Sequence, residues 1–438
     1  MRVTKVLYKL LVIFLVLTVA TACRTVDETP PVRETPPPAT PEPLPETPSG
    51  PSPITLQWAV WGSSAIPYCK ALIAAYKEVA PHVTIELVDL GDVDWNVTIQ
   101  THLIGKHDYD LIMVRDIHGY EMHVSSDLLN PLDDLISSRG ISLSEYKGIP
   151  EQFTMDGSLY ALPFMCDFRV LFFNKDIFTD AEVDHPGNQL TFDDWIEIIK
   201  EITHGSGDNK VWGNSFDHHF SSIALFGILD GRHTVNDGSY EFMLPYYEAV
   251  LALEDGGYIP GIAGDESNRN QVNPFWRSGN IAQVNAGISS SVHALLTGVN
   301  WGIAAYPVPT PYDHGNTFGQ VTQLAIPRLA KHPDEAMDFI AFISGKQGAD
   351  IIASTGNIPV IMTDTALDTL IRAGRFPNDE TTRGALQPAK IFLQQSPGKH
   401  AAEINSILND IHLDIISREI DIDEGIILMN EKVSALLR

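Results

Sequence analysis

The stretch Ile54-Thr55-Leu56-Gln57-Trp58-Ala59-Val60-Trp61-Gly62 is an apolar, strand-like run that stops at a glycine. A helical spacing follows through Ala71, Leu72, Ala75, Tyr76 and Val79. Pro81 ends it, since proline lacks an amide and clashes with the preceding turn, and Val83 to Leu87 then reads as a second strand. This is a βαβ unit, and the alternation continues. Asp110 to Val114 reads as a further strand, and Phe192 to Ile202 as an amphipathic helix capped by Thr191, with Asp194 completing a capping-box pattern. Pro333 to Phe342 and Gln347 to Ala353 read as two packed helices, and helical sequence runs on after Pro359 to Arg438. Alternating strands and helices imply an α/β fold of mainly parallel sheets covered on both faces. A single core stops growing near roughly 250 to 300 residues, so 438 residues imply two lobes.

Hydrophobic residues make up 44% and charged residues 19%, a globular balance. A formal charge of −27 excludes nucleic acid as a partner, because phosphate binding needs clustered Lys and Arg; a neutral ligand fits better. Arg2, Lys5 and Lys9 precede an apolar run from Leu10 to Ala20, too short for a bilayer core of about 20 residues but suited to a signal peptide over residues 1–22. It ends in Ala20-Thr21-Ala22-Cys23, which resembles a bacterial lipobox, so Cys23 is the expected lipidation site. The following stretch to residue 53 is dense in proline and cannot build a core; it reads as a semi-rigid polyproline stalk between membrane and lobes. Cys69 and Cys166 are either a bridge or two small packed residues.

Several stretches share one order with a known family. They are Ile54 to Gly62, Tyr76 to Val83, Asp110 to Asp116, Leu128-Leu129-Asn130-Pro131-Leu132, and Tyr160-Ala161-Leu162-Pro163-Phe164 through Phe172-Phe173-Asn174-Lys175-Asp176. Ser278 to Ala282, Trp301-Gly302-Ile303, Leu324-Ala325-Ile326 and Pro333-Asp334-Glu335-Ala336 complete it. From Ile54 to about Asp364 the chain resembles the family 1 extracellular solute-binding proteins, the group of maltose- and oligosaccharide-binding lipoproteins. The resemblance implies a periplasmic-binding-protein-like fold of two discontinuous α/β lobes joined by hinge strands, with the ligand cleft between them. The first lobe would be residues 54–164 plus 319–357, the second 167–317 plus 359–438. It further implies a monomer, anchored by lipid on the extracytoplasmic face of the cell membrane, that closes around a carbohydrate and delivers it to the permease subunits of an ABC importer, without cofactor and without catalysis.

A sugar offers a C–H face to aromatic rings and a rim of hydroxyls to planar polar groups, each of which must be paired when buried. By resemblance the first strand brings Trp61 and Ser63 to the cleft, with Trp58 in the core. Arg115 and Asp116 follow the third strand, Asp116 being either a ligand contact or a helix cap. Phe164, Asp167 and Arg169 lie at the crossover, where Asp167 with Arg169 is either a hydroxyl clamp or an ion pair. The second lobe offers Asn214, His218, Phe220, Asn285, Ser289 and Trp301, the last as a stacking platform, and Phe318 and Gln320 sit where the chain returns. Where maltodextrin-binding relatives carry a cleft tryptophan, Asn285-Ala286-Gly287-Ile288-Ser289-Ser290-Ser291 puts hydroxyls, with Trp276 the nearest ring to compensate. The adjacent His218 and His219 lack a further ligand at metal spacing. No G-x-S-x-G, H-E-x-x-H, P-loop or G-x-G-x-x-G marks an enzyme. A glycosidase, a non-sugar cargo on the same fold, and a sensor that presents its ligand to a membrane kinase rather than a permease are the rival readings.

Overall fold

A computed structural model describes residues 52–91, 94–263, 279–289 and 298–438, the side chains of Ser63 and Ser64 excepted. The expected leader, Cys23, nearly all of the proline-rich stretch, Trp276 and the Ser63 side chain lie outside these residues. The opening βαβ unit forms as the sequence reads. Strand β1 (Ile54–Val60) pairs in parallel with β2 (Val83–Asp89), Ile54 opposite Val83 and Val60 opposite Asp89. Helix α1 (Gly62–Val79) makes the crossover and is capped at Ala80, the residue before the proline. After α2 (Trp95–Ile104), β3 (Leu111–Val114) joins β1 on its other side, also in parallel, and leads into α3 (Ile117–Ser125).

Beyond β3 the parallel expectation fails. Strand order is β2-β1-β3-β7-β4-β5, with β4 (Ala161–Asn174) and β7 (Asn316–Ala325) antiparallel to each other. Strands β5 (Gln283–Gly287) and β6 (Trp301–Ala304) flank the far half of β4, again antiparallel. The chain leaves the first strands along β4 and comes back along β7, and an out-and-back path gives antiparallel neighbours without a crossover helix. The 14-residue β4 therefore serves two groups of strands: residues 161–168 pair with β7, and residues 169–174 with β5 and β6.

Two large apolar cores flank this crossing. One gathers Trp58, Leu72, Ile112, Leu324 and, from helix α7 (Pro333–Ser344), Phe339 and Ile340. The other gathers Phe192, Trp195 and Ile199 of α4 (Phe192–Ile202) with the short α5 (Phe220–Ile223) and Tyr247 and Leu251 of α6 (Leu244–Asp255). Helix α8 (Lys346–Ser354) packs on α9 (Asp364–Gly374), whose Leu367, Leu370 and Ile371 share the first core. The chain after residue 359 is not helical throughout: β8 (Lys390–Leu393) adds in parallel to β7. Helices α10 (Ala401–Ile416) and α11 (Ile422–Leu436) then close the second core through Leu408, Ile411, Met429 and Val433. Cys69 and Cys166 are buried free thiols.

Candidate functional site

Where β4 passes β7, Asp167 lies opposite Gln320 and Phe168 opposite Gly319; two residues on, Arg169 lies opposite Gly287 of β5. The glycines make room. A Cβ on Gly319 would stand 2.2 Å from the Asp167 carbonyl oxygen, and one on Gly287 would stand 2.9 Å from Asp167 Oδ2. Asp167 and Arg169 project from the same face of the strand, because side chains alternate with period two. That face lines a cavity of about 490 Å³, within the roughly 300 to 1,000 Å³ of small-molecule sites. Asp217, His219, Phe220 and Ser221 make one wall, Gln320 and Ser289 another, and Gln394, Gln395, Asn405 and Asn409 a third. A second cavity of about 180 Å³ shares Asp167, Ser289 and Gln320 with the first and reaches Arg115, Thr322 and Asn357. The two spaces meet along the β4–β7 crossing.

Arg169 is held by several acceptors at once. Its Nη1 donates to the Asn285 carbonyl at 3.3 Å and to Asp217 Oδ2 at 3.5 Å, its Nη2 donates to Ser221 Oγ at 3.1 Å, and the guanidinium lies 5.8 Å from the Phe318 ring centroid. Asp217 is equally fixed: Oδ1 accepts from the Ser222 hydroxyl and from the His219 amide, the latter at 2.8 Å. Burial would raise its pKa, but Arg169, the Ser222 hydroxyl and His219 outweigh that and hold the carboxyl below its ordinary value. Asp167 goes the other way. Burial pushes it up to about 6 against the pull of Arg169 and the amides of Ser289 and Ile288. Those amides favour the charged form, yet Asp167 Oδ1 is buried with no donor in hydrogen-bond geometry among the described residues. The cavity therefore holds an anchored cation, an anchored anion, and a second carboxyl, Asp167, one oxygen of which is shut away from solvent.

Of the residues expected at the cleft, Asp167, Arg169, Phe220, Ser289 and Gln320 line the larger cavity, and Arg115 the smaller. The others lie elsewhere. Asp116 caps α3, accepting from the Gly119 amide at 2.7 Å and from Asn96 Nδ2 at 3.0 Å, which occupies its carboxylate. Phe164 and Phe318 are core residues, 1% and 0% exposed. Asn214 and Asn285 are buried beneath the cavity: Asn285 Nδ2 donates to the Ser222 carbonyl and to the Tyr306 hydroxyl, both at 3.2 Å, and Asn214 Nδ2 donates to Asn285 Oδ1 at 3.4 Å. They brace the floor rather than face the space. Trp301 packs on Phe172 and Phe376, ring centroids 6.0 Å apart in each case, and Trp61 packs edge-on against Trp95 at 5.7 Å. Neither ring is among the residues that line these two cavities. His218 lends its carbonyl to His412 Nε2 at 3.0 Å.

Gln394, Gln395, Asn405 and Asn409 line the cavity without a signal in the sequence, and Asp217 and His219, whose run suggested at most a metal pair, line it with them. Gln394-Gln395 stands just past the carboxyl end of a strand, where α/β sheets place their ligands, but a four-residue strand among helices was not legible. Asn405 and Asn409 are spaced i, i+4, which puts both on one flank of α10.

Comparison with known proteins agrees with this architecture. A solved sugar transporter from Rhizobium etli, in an open conformation, superposes with a TM-score of 0.83 at 34% identity, covering 87% of this chain and 99% of that one. The sugar-binding protein MalE of Xanthomonas citri shares the fold at a TM-score of 0.73 and 17% identity, over 87% and 97% of the two chains. The galactooligosaccharide-binding protein of Bacillus subtilis is 22% identical over 264 residues, 55% of this chain and 61% of its own length. The family model described as bacterial extracellular solute-binding protein matches residues 62–350, well over half of the sequence. With that match over the same strands and crossing that build the cavity, the chain belongs to the bacterial extracellular solute-binding proteins.

Proposed function

We propose that the chain binds a carbohydrate in the cavity at the β4–β7 crossing and presents it to the permease subunits of an ABC importer. The observation that carries this reading is the polar ring of the cavity itself: Ser221, Ser289, Gln320, Gln394, Asn405 and Asn409 line one space with Asp167 and Arg169. A neutral polyol satisfies such a ring without bringing a charge that must be desolvated. The relatives named for sugar transport and sugar binding point the same way. In this reading residues 1–22 are an export signal, Cys23 carries the lipid anchor, and residues 23–53 are the stalk. The lobes are residues 54–164 with 319–357 and residues 167–317 with 359–438, and they close on β4 and β7 as hinges. Helix α9 reaches back across the last of these boundaries to pack on α8. The protein works as a monomer, without a cofactor.

The proposed protein binds without turnover. Two cavity carboxyls with oppositely shifted pKa values are the pattern of an acid and base pair, and a glycosidase would use one. Asp217 is spent on Arg169, Ser222 and the His219 amide, which leaves it a structural anion. Titrating the purified full chain with neutral mono- and oligosaccharides tests both halves. A cognate sugar at 100 times its dissociation constant stabilises the fold by about 2.7 kcal/mol, and the sugar recovered afterwards is chemically intact. No stabilisation by any sugar defeats the binding reading, and a cleaved product defeats the non-catalytic one.

A further inference from the structure

We infer that the choice among sugars is made by a wall of four carboxamides from the C-terminal portion of the chain, Gln394, Gln395, Asn405 and Asn409, which reads the pattern of ring hydroxyls and so separates epimers. The inference rests on the sugar reading above. These residues lie beyond residue 350, where the match to the family model ends, yet they supply one side of the larger cavity. A carboxamide offers two donors and one acceptor in a fixed plane and carries no charge. That suits neighbouring hydroxyls, each of which both donates and accepts. A carboxylate only accepts and a guanidinium only donates, so Asp167 and Arg169 each engage one side of a hydroxyl where a carboxamide can engage both.

The wall is held rigidly. The Gln394 amide donates to the Gly319 carbonyl at 2.9 Å, and the Leu393 amide donates to Gln152 Oε1 at 2.9 Å, which ties the end of β8 to the crossing. Helix α10 buries Ile404, Leu408, Ile411 and Ile415 in the second core and turns Asn405 and Asn409 to the cavity. Asn409 Nδ2 donates to the Asn405 carbonyl at 2.9 Å, which sets the plane of that carboxamide and leaves its oxygen as acceptor. Three residues further along, His412 Nε2 donates to the His218 carbonyl at 3.0 Å and fastens α10 to the loop that carries Asp217 and His219. Two walls of the cavity thus move together. In a rigid polar site, inverting one hydroxyl leaves both that hydroxyl and its partner unpaired, and this is the basis of strong discrimination.

The test is calorimetric titration of the full chain in detergent with D-glucose, D-galactose and D-mannose and with cellobiose, lactose and mannobiose. The wild type is expected to prefer one sugar over its epimers by at least tenfold. Gln395→Ala and Asn405→Ala sit at half-buried positions outside the cores, and Asn405→Asp keeps the shape while removing the donor. Each is expected to weaken the preferred sugar by roughly tenfold or more and to shrink the ratio between epimers. Asp167→Asn is expected to weaken all sugars alike. If Asp167→Asn abolishes binding while the carboxamide variants keep wild-type affinity and wild-type epimer ratios, this inference is overturned and the sugar site stands. If Asp167→Asn is also without effect, or no sugar binds the wild type, the assignment of the cavity falls and the inference with it.

Discussion

His412 lies fully buried beneath the cavity wall, its Nδ1 accepting from the Tyr247 hydroxyl at 2.8 Å while Nε2 donates to the His218 carbonyl. The first of these bonds needs the neutral ring, while the second is open to either form. Burial, which outweighs the attraction of the His218 carbonyl and of Asp217, pulls the pKa down to about 4. His123, fully buried in α3 with neither ring nitrogen paired among the described residues, is likewise pulled down to about 4 by burial. An unfolded chain protonates these rings near pH 6.5, whereas the folded one resists until near pH 4. Over that window the unfolded state binds more protons, so stability is full above about 6.5 and is lost as pH falls, on the order of 3 kcal/mol per ring. Urea midpoints between pH 7 and 4.5 should show this, with His412→Gln and His123→Gln giving shallower pH slopes than the wild type. Wild-type slopes in both variants would remove these histidines as the cause. The same scale shows why some of the expected residues line the cavity and others do not. Asp167 and Arg169 were legible because the crossover motif fixed their place. Asn285 was not, because a polar residue in a strand reads the same whether it meets a ligand or, as here, a buried hydroxyl and a carbonyl.

Among the elements, α4 was the most legible, since everything that defines it is local. Thr191 Oγ1 accepts from the Asp194 amide at 3.2 Å, Asp194 Oδ2 accepts from the Thr191 amide at 3.3 Å, and Phe192, Trp195, Ile196 and Ile199 make one buried stripe. Thr191→Ala is expected to lower stability by about 1 kcal/mol without changing sugar affinity, read by urea unfolding beside a binding titration. A larger loss of affinity than of stability would mean that α4 governs the cavity directly rather than through the core. Strand β8 is the opposite case. Lys390-Ile391-Phe392-Leu393 is too short to show alternation, and its extended form comes from pairing with residues 316–319, more than 70 positions away in sequence. Local pattern carries no record of such a partner, and for that reason Gln394 and Gln395 at its end were missed. The mixed sheet was missed on similar grounds: the composition of a strand says nothing of its direction relative to a distant partner, here β4 against β7.

At the scale of the whole molecule, the two large cores are joined by strands that run through both groups, and the cavities lie along that crossing. The larger cavity draws on β4, on α5 and the loop before it, and on the β8–α10 segment, while the smaller adds Arg115 and Asn357 from the side of the first core. Under the proposed closure, a ligand seated on Asp167 and Gln320 touches groups common to both spaces, and approach of the two sides brings Arg115 and Asn357 closer to it. Closure then costs bending at β4 and β7, where Gly319 leaves no room for a side chain and lets the backbones pass closely. A ligand shifts that equilibrium by the difference between its affinities for the two arrangements and by nothing else. Small-angle scattering from the full chain should show the radius of gyration falling when the preferred sugar saturates the site, with no fall for an epimer that does not bind. Arg115→Ala is expected to weaken binding and reduce the fall together, because it removes a group that the proposed closure brings closer to the ligand. Saturation with an unchanged radius of gyration would mean that the sugar binds to an arrangement already in place, and that β4 and β7 form a scaffold, not a hinge.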